Sequence, residues 1–178
     1  MKLFLILIVA VALAAPGLSG VQESGANAPS PDELKSLPPL NLQDFRGKSV
    51  RADQFKGSVV VLDFWATWCA PCISEIPALN RLQQKYGEQG VRVVGVTLQS
   101  GEPKEVRPFI ERNKMKYTIL MGDDEQMYDL NVFAFPTTLL LTRDMKVFRR
   151  YLGAGPRKAA EMEADIQKLL ATTRSSPS

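Results

Sequence analysis

Residues 59–72 read VVVLDFWATWCAPC and contain both cysteines of the 178-residue chain. The run over 59–65 is rich in β-branched residues and does not alternate with polar ones, which predicts a buried strand. Pro71 suits the first turn of a helix, because the N–H group that proline lacks has no partner there. From 73 to 86, apolar residues recur at steps of three and four, as on one face of a helix. The cysteines therefore stand where a buried strand gives way to a helix.

Two thiols at this spacing and in this context are typical of a reversible dithiol/disulfide couple. Cys69 falls at the N-cap or first position of the helix, where free N–H groups and the helix dipole stabilise a thiolate. We therefore expect an exposed Cys69 to act as the nucleophile and a shielded Cys72 to resolve the mixed disulfide. A purely structural disulfide is the alternative, but so short a loop constrains the unfolded chain little.

The composition removes several other uses of paired cysteines. The chain contains no histidine, so a Cys-His catalytic pair and histidine-containing zinc sites are excluded. Two thiolates alone do not complete a tetrahedral zinc site, and we predict neither a metal nor another cofactor. With 22 basic and 19 acidic residues, the net charge of +3 forms no basic stripe, so nucleic-acid binding is not expected. Any base must be a carboxylate, lysine, tyrosine, thiol or water.

The N-terminus has the composition of a targeting segment. A continuous apolar stretch over 3–15 is followed by small residues, which predicts a signal peptide or a retained membrane anchor over 1–20. In either case the domain lies outside the cytoplasm, as a periplasmic or extracytoplasmic protein. We expect a flexible linker over 21–36, one folded domain over 37–171 and a disordered tail over 172–178.

The pattern of strands and helices predicts an α/β fold. Strands that alternate with helices, followed by a hairpin and a closing helix, indicate a central mixed β-sheet covered by helices on both faces. Further strands are expected at 91–97, 117–121, 137–142 and 146–152. Further helices are expected from Pro103, over 124–130 and from Pro156, and a single helical turn over 53–57. Short extended pieces at 40–45 and 49–52 precede this core.

The segment from Phe64 to Cys72 resembles the active-site segment of the thioredoxin superfamily. Its Ala-Thr-Trp-Cys portion is similar to the extracytoplasmic TlpA/ResA-like branch, and the similarity extends over about residues 37–171. The resemblance implies a thioredoxin-like fold with an N-terminal β-hairpin and a central helix–strand insertion at 103–121. It also implies that the protein is a thiol–disulfide oxidoreductase.

Two acids stand at positions that the resemblance connects with proton transfer. Asp63 matches the buried acid of thioredoxins, although the TlpA/ResA-like branch more often has Asn there. Burial among Val, Leu and Phe should raise the pKa of Asp63, which suits a relay for the Cys72 proton. Glu75 matches the glutamate near the dithiol of ResA-like proteins; a solvated acid in the first helical turn is the alternative.

Phe135-Pro136-Thr137 resembles the cis-proline loop of the superfamily. The resemblance places Pro136 against the two sulfurs, where the preceding residue pairs with an extended substrate. An ordinary proline at the entry of a strand is the alternative. The candidate substrate-binding residues are therefore Trp68, Pro71, Phe135 and Pro136.

The expected activity is reduction of disulfides in secreted proteins. Pro71 before Cys72, with Ala70, resembles the reducing members of the superfamily. The resemblance implies protein disulfide and dithiol substrates, apocytochrome c among them, and a membrane thiol carrier as electron donor. One alternative is a thiol peroxidase, which would have Thr or Ser at the position of Ala66. A second alternative is a non-catalytic binding or metal-handling module, since two thiolates can hold Cu(I).

Overall fold

The computed structural model describes residues 35–174, in which eight strands form one sheet. The strands are β1 (Lys35–Ser36), β2 (Leu42–Gln43), β3 (Ser49–Val50), β4 (Val59–Trp65), β5 (Val91–Thr97), β6 (Thr118–Met121), β7 (Thr137–Leu141) and β8 (Lys146–Leu152). The α-helices are α1 (Ala70–Tyr86), α2 (Pro103–Arg112) and α3 (Pro156–Arg174). The predicted signal segment, and all of the predicted linker before β1, lie outside the described residues.

The sheet is mixed, and β4 lies near its centre. The strand order is β1-β8-β7-β4-β5-β6-β2-β3. Strand β4 runs parallel to β5 and antiparallel to β7, so that Asp63 is paired with Gly95 on one side and with Thr138 on the other. The hairpin of β2 and β3 joins the sheet through β6, the strand that follows α2. The predicted thioredoxin-like architecture, with its hairpin and its helix–strand insertion, is confirmed.

All seven residues of β4 are buried because both faces of the sheet are covered. On one face, Val59 and Val61 pack with apolar residues of α1 and α3, and Trp65 packs with Val106 and Phe109 of α2. On the other face, Val60, Leu62 and Phe64 pack with Leu40, Leu42, Leu130 and Val132. The helical cover on that second face consists of two 3-10 helices, Ala52–Phe55 and Asp124–Met127.

Several boundaries differ from the sequence prediction, most of them by one or two residues. The helix expected over 124–130 is only the 3-10 helix Asp124–Met127, because Leu130 and Val132 turn into the core and Asn131 has a positive φ of 52°. Strand β1 pairs with β8 two residues before the expected start of the domain. Helix α3 continues to Arg174, beyond the expected end at 171.

The membrane-anchor prediction concerns residues before the part of the chain that the structure describes. Within 35–174, no helix combines the length and the apolar character that crossing a bilayer requires. The division into signal segment, linker, domain and tail therefore stays a prediction.

Gly95 provides a test of how closely the helix side of the sheet is packed. A Cβ at this position would lie 2.8 Å from Ile119 Cδ1, 2.9 Å from Trp65 Nε1 and 3.1 Å from Tyr117 Cε2. We expect Gly95→Ala to lower the free energy of unfolding by about 1–3 kcal/mol through overpacking, as measured by urea denaturation. Ile119→Val removes the nearest atom, so the double variant should lose less than the sum of the two single losses. Additive losses would contradict this packing.

Candidate active site

The two cysteines form a disulfide at the start of α1. Cys69 is the N-cap residue, with φ −85° and ψ 96°, and its Cα lies 5.3 Å from that of Cys72. The Cys72 N–H donates to Cys69 Sγ across 3.2 Å. This bond takes the place of the side-chain oxygen cap that Ser or Asp gives other helices. The predicted N-cap position of Cys69 is confirmed, and its sulfur already receives one helix N–H group.

The two cysteines do not differ in burial in this disulfide form. Each is 4% exposed, so the expected exposure of Cys69 is wrong for the oxidised protein. The bonded sulfurs share one apolar cover that includes Trp65 and Ile76, and Phe135 packs against the same cluster. What distinguishes the cysteines is their place on the backbone, since Cys69 precedes the first turn of α1 and Cys72 lies within it.

Two aromatic rings lie at the mouth of the site. Trp68 is 63% exposed, and its Nε1–H donates to the carbonyl oxygen of Gln99 at 2.9 Å. Its ring centroid lies 5.7 Å from that of Phe135, with the planes inclined at 59°. The Phe135–Pro136 peptide bond is cis, as the resemblance implied. The site therefore offers an exposed aromatic surface next to the disulfide.

Asp63 is buried on the helix side of the sheet, as its alternation with Phe64 and the burial of β4 dictate. Thr138 Oγ1, on the adjacent strand, donates to Asp63 Oδ1 at 2.7 Å. Burial raises the pKa of Asp63 to about 7, and the charge of Glu75 raises it as well, while Lys158 and the Thr138 bond oppose the rise. Asp63 can therefore both accept and release a proton near neutral pH.

Glu75 is buried and forms an ion pair with Lys158. Lys158 Nζ donates to Glu75 Oε2 at 2.8 Å, and both side chains are almost completely buried. The other oxygen, Oε1, has no hydrogen-bond partner within the described part of the chain. Burial raises the pKa of Glu75, and Lys158 opposes that rise. The alternative that Glu75 is a solvated helix acid is therefore wrong.

Sequence reasoning missed Thr138 and Lys158. Thr138 could have been found from register, since it lies directly opposite Asp63. Lys158 was harder to find from the sequence. A cation in the first turn of α3 interacts unfavourably with the helix dipole, which indicates that another interaction compensates for its position.

Tyr117 is a further buried ionisable side chain that interacts electrostatically with Asp63 and Glu75. Burial raises the pKa of Tyr117 above its ordinary value, and the charges of Asp63 and Glu75 raise it further. Tyr117 therefore keeps its proton at neutral pH. Among residues 35–174, no three His, Cys, Asp or Glu side chains are grouped as a metal site would require.

A model of the Redoxin family matches residues 29–170, which span the sheet, the helices and the disulfide. The chain belongs to the Redoxin family. It is similar to the thioredoxin-like protein YneN of Bacillus subtilis (strain 168), with 32% identity over 136 residues, 75% of this chain and 79% of the relative. It is 37% identical over 114 residues to the thiol-disulfide oxidoreductase ResA of Geobacillus kaustophilus (strain HTA426), covering 63% of this chain and 64% of the relative.

The fold also resembles that of a solved thiol:disulfide interchange protein. A putative thiol:disulfide interchange protein DsbE from Chlorobium tepidum superposes with a TM-score of 0.71 at 30% identity. The match covers 77% of this chain and 96% of that one. This Redoxin-family protein is a TlpA/ResA-like member of the thioredoxin superfamily and a thiol–disulfide oxidoreductase.

The raised pKa of Asp63 makes stability depend on pH. Between its ordinary value of 3.8 and about 7, folded Asp63 holds a proton that the unfolded chain has released. Stability therefore falls as the pH rises through this window. Asp63→Asn has no such proton. Its free energy of unfolding, relative to that of the wild type, should therefore rise by about 2–4 kcal/mol across this pH window. Urea denaturation of the oxidised protein at several pH values measures this difference.

Asp44 is the matched control, because N–H groups of Arg46 and Lys48 lower the pKa of this exposed carboxyl. Its contribution to stability is lost only as the pH falls below about 4, so the stability of Asp44→Asn relative to the wild type should change little across the Asp63 window. An equal rise in both variants across that window would contradict the buried, protonated state of Asp63.

Proposed function

We propose that this protein is an extracytoplasmic reductase of disulfides in secreted proteins, with apocytochrome c as one substrate. The observation that carries the proposal is the disulfide at the start of α1, together with a buried acid on the preceding strand β4 whose pKa is about 7. A nucleophile and a group able to exchange a proton at neutral pH are thus held on adjoining elements. The apolar stretch over 3–15 supports export of the domain.

In the first step, the Cys69 thiolate of the reduced protein attacks one sulfur of the substrate disulfide. A Cys69–substrate disulfide forms, and the other substrate sulfur leaves as a thiolate and takes a proton. The N-cap position supports this role, because the Cys72 N–H already points at Cys69 Sγ and the helix dipole stabilises negative charge there.

In the second step, Cys72 gives its proton to the Asp63 carboxylate and attacks Cys69 Sγ. The Cys69–Cys72 disulfide closes, and the second substrate sulfur leaves as a thiolate. Over both steps the substrate disulfide gains two electrons, which the protein dithiol loses. The substrate sulfurs take up two protons: the one taken in the first step comes from solvent, and the one taken by the second thiolate comes from Cys72 by way of Asp63. A dithiol donor then reduces the Cys69–Cys72 disulfide, and we assign this role to a membrane thiol carrier.

The aromatic surface at the mouth of the site supports binding of a polypeptide. Trp68 exposes most of its ring while its indole N–H is held by Gln99, so the ring is fixed in place without being covered. An extended substrate can add to the backbone before Pro136 by strand-like pairing, with Pro71 and the Phe135 ring beside it. Apolar residues flanking the substrate cysteine would contact Trp68 and Phe135.

Thiol peroxidase activity is the less favoured hypothesis for the function of the two cysteines. The residue three positions before Cys69 is Ala66, which is completely buried and offers no hydroxyl to a peroxide. Hydrogen peroxide consumption with a thiol donor separates this reading from disulfide reduction.

Cysteine variants test the proposed order of attack. We expect Cys69→Ser to abolish the protein's acceleration of insulin reduction by dithiothreitol, because the attacking thiolate is lost. Cys72→Ser should instead accumulate a mixed disulfide that a non-reducing gel and mass spectrometry detect, since nothing resolves it. Expressed with its N-terminal segment, that variant should capture both substrate and electron donor. Insulin reduction by Cys69→Ser that stays faster than with dithiothreitol alone would overturn the proposal.

The role of Trp68 can be separated from the chemistry by the size of the substrate. Trp68→Ala should raise the KM for insulin several-fold and leave its kcat within about twofold, because ring contacts contribute about 1 kcal/mol to binding. Oxidised glutathione is too small to reach much of this surface and serves as the control substrate. An equal loss with both substrates would show that Trp68 acts on the dithiol itself.

A further inference from the structure

We propose that Lys158 is a positioning residue for the resolving step: it holds Glu75 as a carboxylate, so that Asp63 alone exchanges the proton of Cys72. The inference rests on the proposed function and assigns a task to a residue on α3, far in sequence from the dithiol.

Three elements bring the charges together on the helix side of the sheet. Asp63 comes from β4, Glu75 from α1, one turn beyond Cys72, and Lys158 from α3. The Lys158 side chain is only 7% exposed, although lysine normally keeps its ammonium group in water. Its burial is compensated by a direct bond of 2.8 Å to Glu75 Oε2. The fold thus places a positive charge beside two buried acids.

The neighbouring charges do not replace Lys158. Arg149 of β8 and Lys168 of α3 both form ion pairs with Asp165, at 3.1 Å and 3.0 Å. Tyr151 of β8 also donates to Asp165. Tyr117 and Thr138 face the acids as neutral groups, and the Thr138 hydroxyl is bound to Asp63. Within the described residues, Lys158 is the cation bonded to the acid pair.

Two neighbouring carboxyls buried without a counter-charge cannot both ionise. With Lys158 present, Glu75 and Lys158 form a neutral pair, and Asp63 titrates as a single group near pH 7. Without Lys158, the two acids share a proton and titrate as a coupled pair over a higher pH range. Removal of Glu75 has the opposite effect, since the unmatched Lys158 ammonium stabilises the Asp63 carboxylate. The two single substitutions therefore shift the Asp63 titration in opposite directions.

The experiment follows the reduced protein as it reacts with dithiobis(nitrobenzoate). Attack by Cys69 releases one coloured thiolate, and attack by Cys72 releases the second, so rapid mixing separates the two steps by absorbance. Cys72→Ser isolates the first phase. In the wild type, the rate of the second phase should fall below about pH 7 as Asp63 becomes protonated.

In Lys158→Met, we expect the acid limb of the second phase to move up by about one pH unit or more, a tenfold loss of rate on that limb. In Glu75→Gln it should move down. Lys158→Arg keeps the charge and should retain the wild-type profile. The double variant Lys158→Met/Glu75→Gln should lie between the single variants, and the first phase should change little in any of them.

The proposal is overturned if Lys158→Met and Glu75→Gln shift the second phase in the same direction or leave its pH profile unchanged. Circular dichroism and thermal unfolding establish that each variant is folded. If Lys158→Met does not fold, the double variant is compared with Glu75→Gln instead, because replacing a buried ion pair with neutral groups is often tolerated. In that case the double variant must have its acid limb above that of Glu75→Gln. A wild type that releases only one thiolate would instead refute the proposed function.

Discussion

The burial of one carboxyl at the centre of the sheet is the constraint on which the site depends. Asp63 lies on β4 with strands on both sides and helices above it, so its charge has little solvent to stabilise it. The surrounding elements each contribute one polar group: Thr138 from β7, Glu75 from α1 and Lys158 from α3. Thr138 bonds to Asp63 and Lys158 bonds to Glu75, and the charges of Glu75 and Lys158 act on Asp63. The acid, the disulfide helix and the last helix are thereby coupled as one unit.

The local parts of this unit could be predicted from the sequence, and the long-range parts could not. A β-branched run followed by Cys-Ala-Pro-Cys determines the strand, the N-cap and the first turn of α1 by short-range rules. The direction of the Asp63 pKa shift follows from its apolar neighbours, because burial is the largest cause of the rise. The state of Glu75, however, depends on Lys158, which lies 83 residues further along the chain. The burial of Cys69 likewise depends on the loop before Pro136 and on helix packing.

Helix α3 is connected to the rest of the domain by charge as well as by apolar packing. Lys158 in its first turn binds Glu75, and Asp165, two turns further, accepts from Tyr151 and pairs with Arg149. Met162 and Ile166, on the same helix, are fully buried against β4 and α1. A buried ion pair broken by loss of one partner leaves an uncompensated charge, which is strongly unfavourable. The position of Lys158, and through it the charge of Glu75, is therefore set by the packing of the whole helix.

The same charges bear on the direction of electron flow. Negative charge near Cys72 disfavours its thiolate, whereas the N-terminus of α1 favours the thiolate of Cys69. Cys72 should therefore keep its proton until Asp63 accepts it, so that closing of the disulfide is coupled to proton transfer. A site that stabilised both thiolates would favour the reduced form and act as an oxidant. Here stabilisation of the Cys69 thiolate favours the reduced form, whereas the carboxylates near Cys72 oppose it. The proposed reducing role requires the second effect to be the larger one.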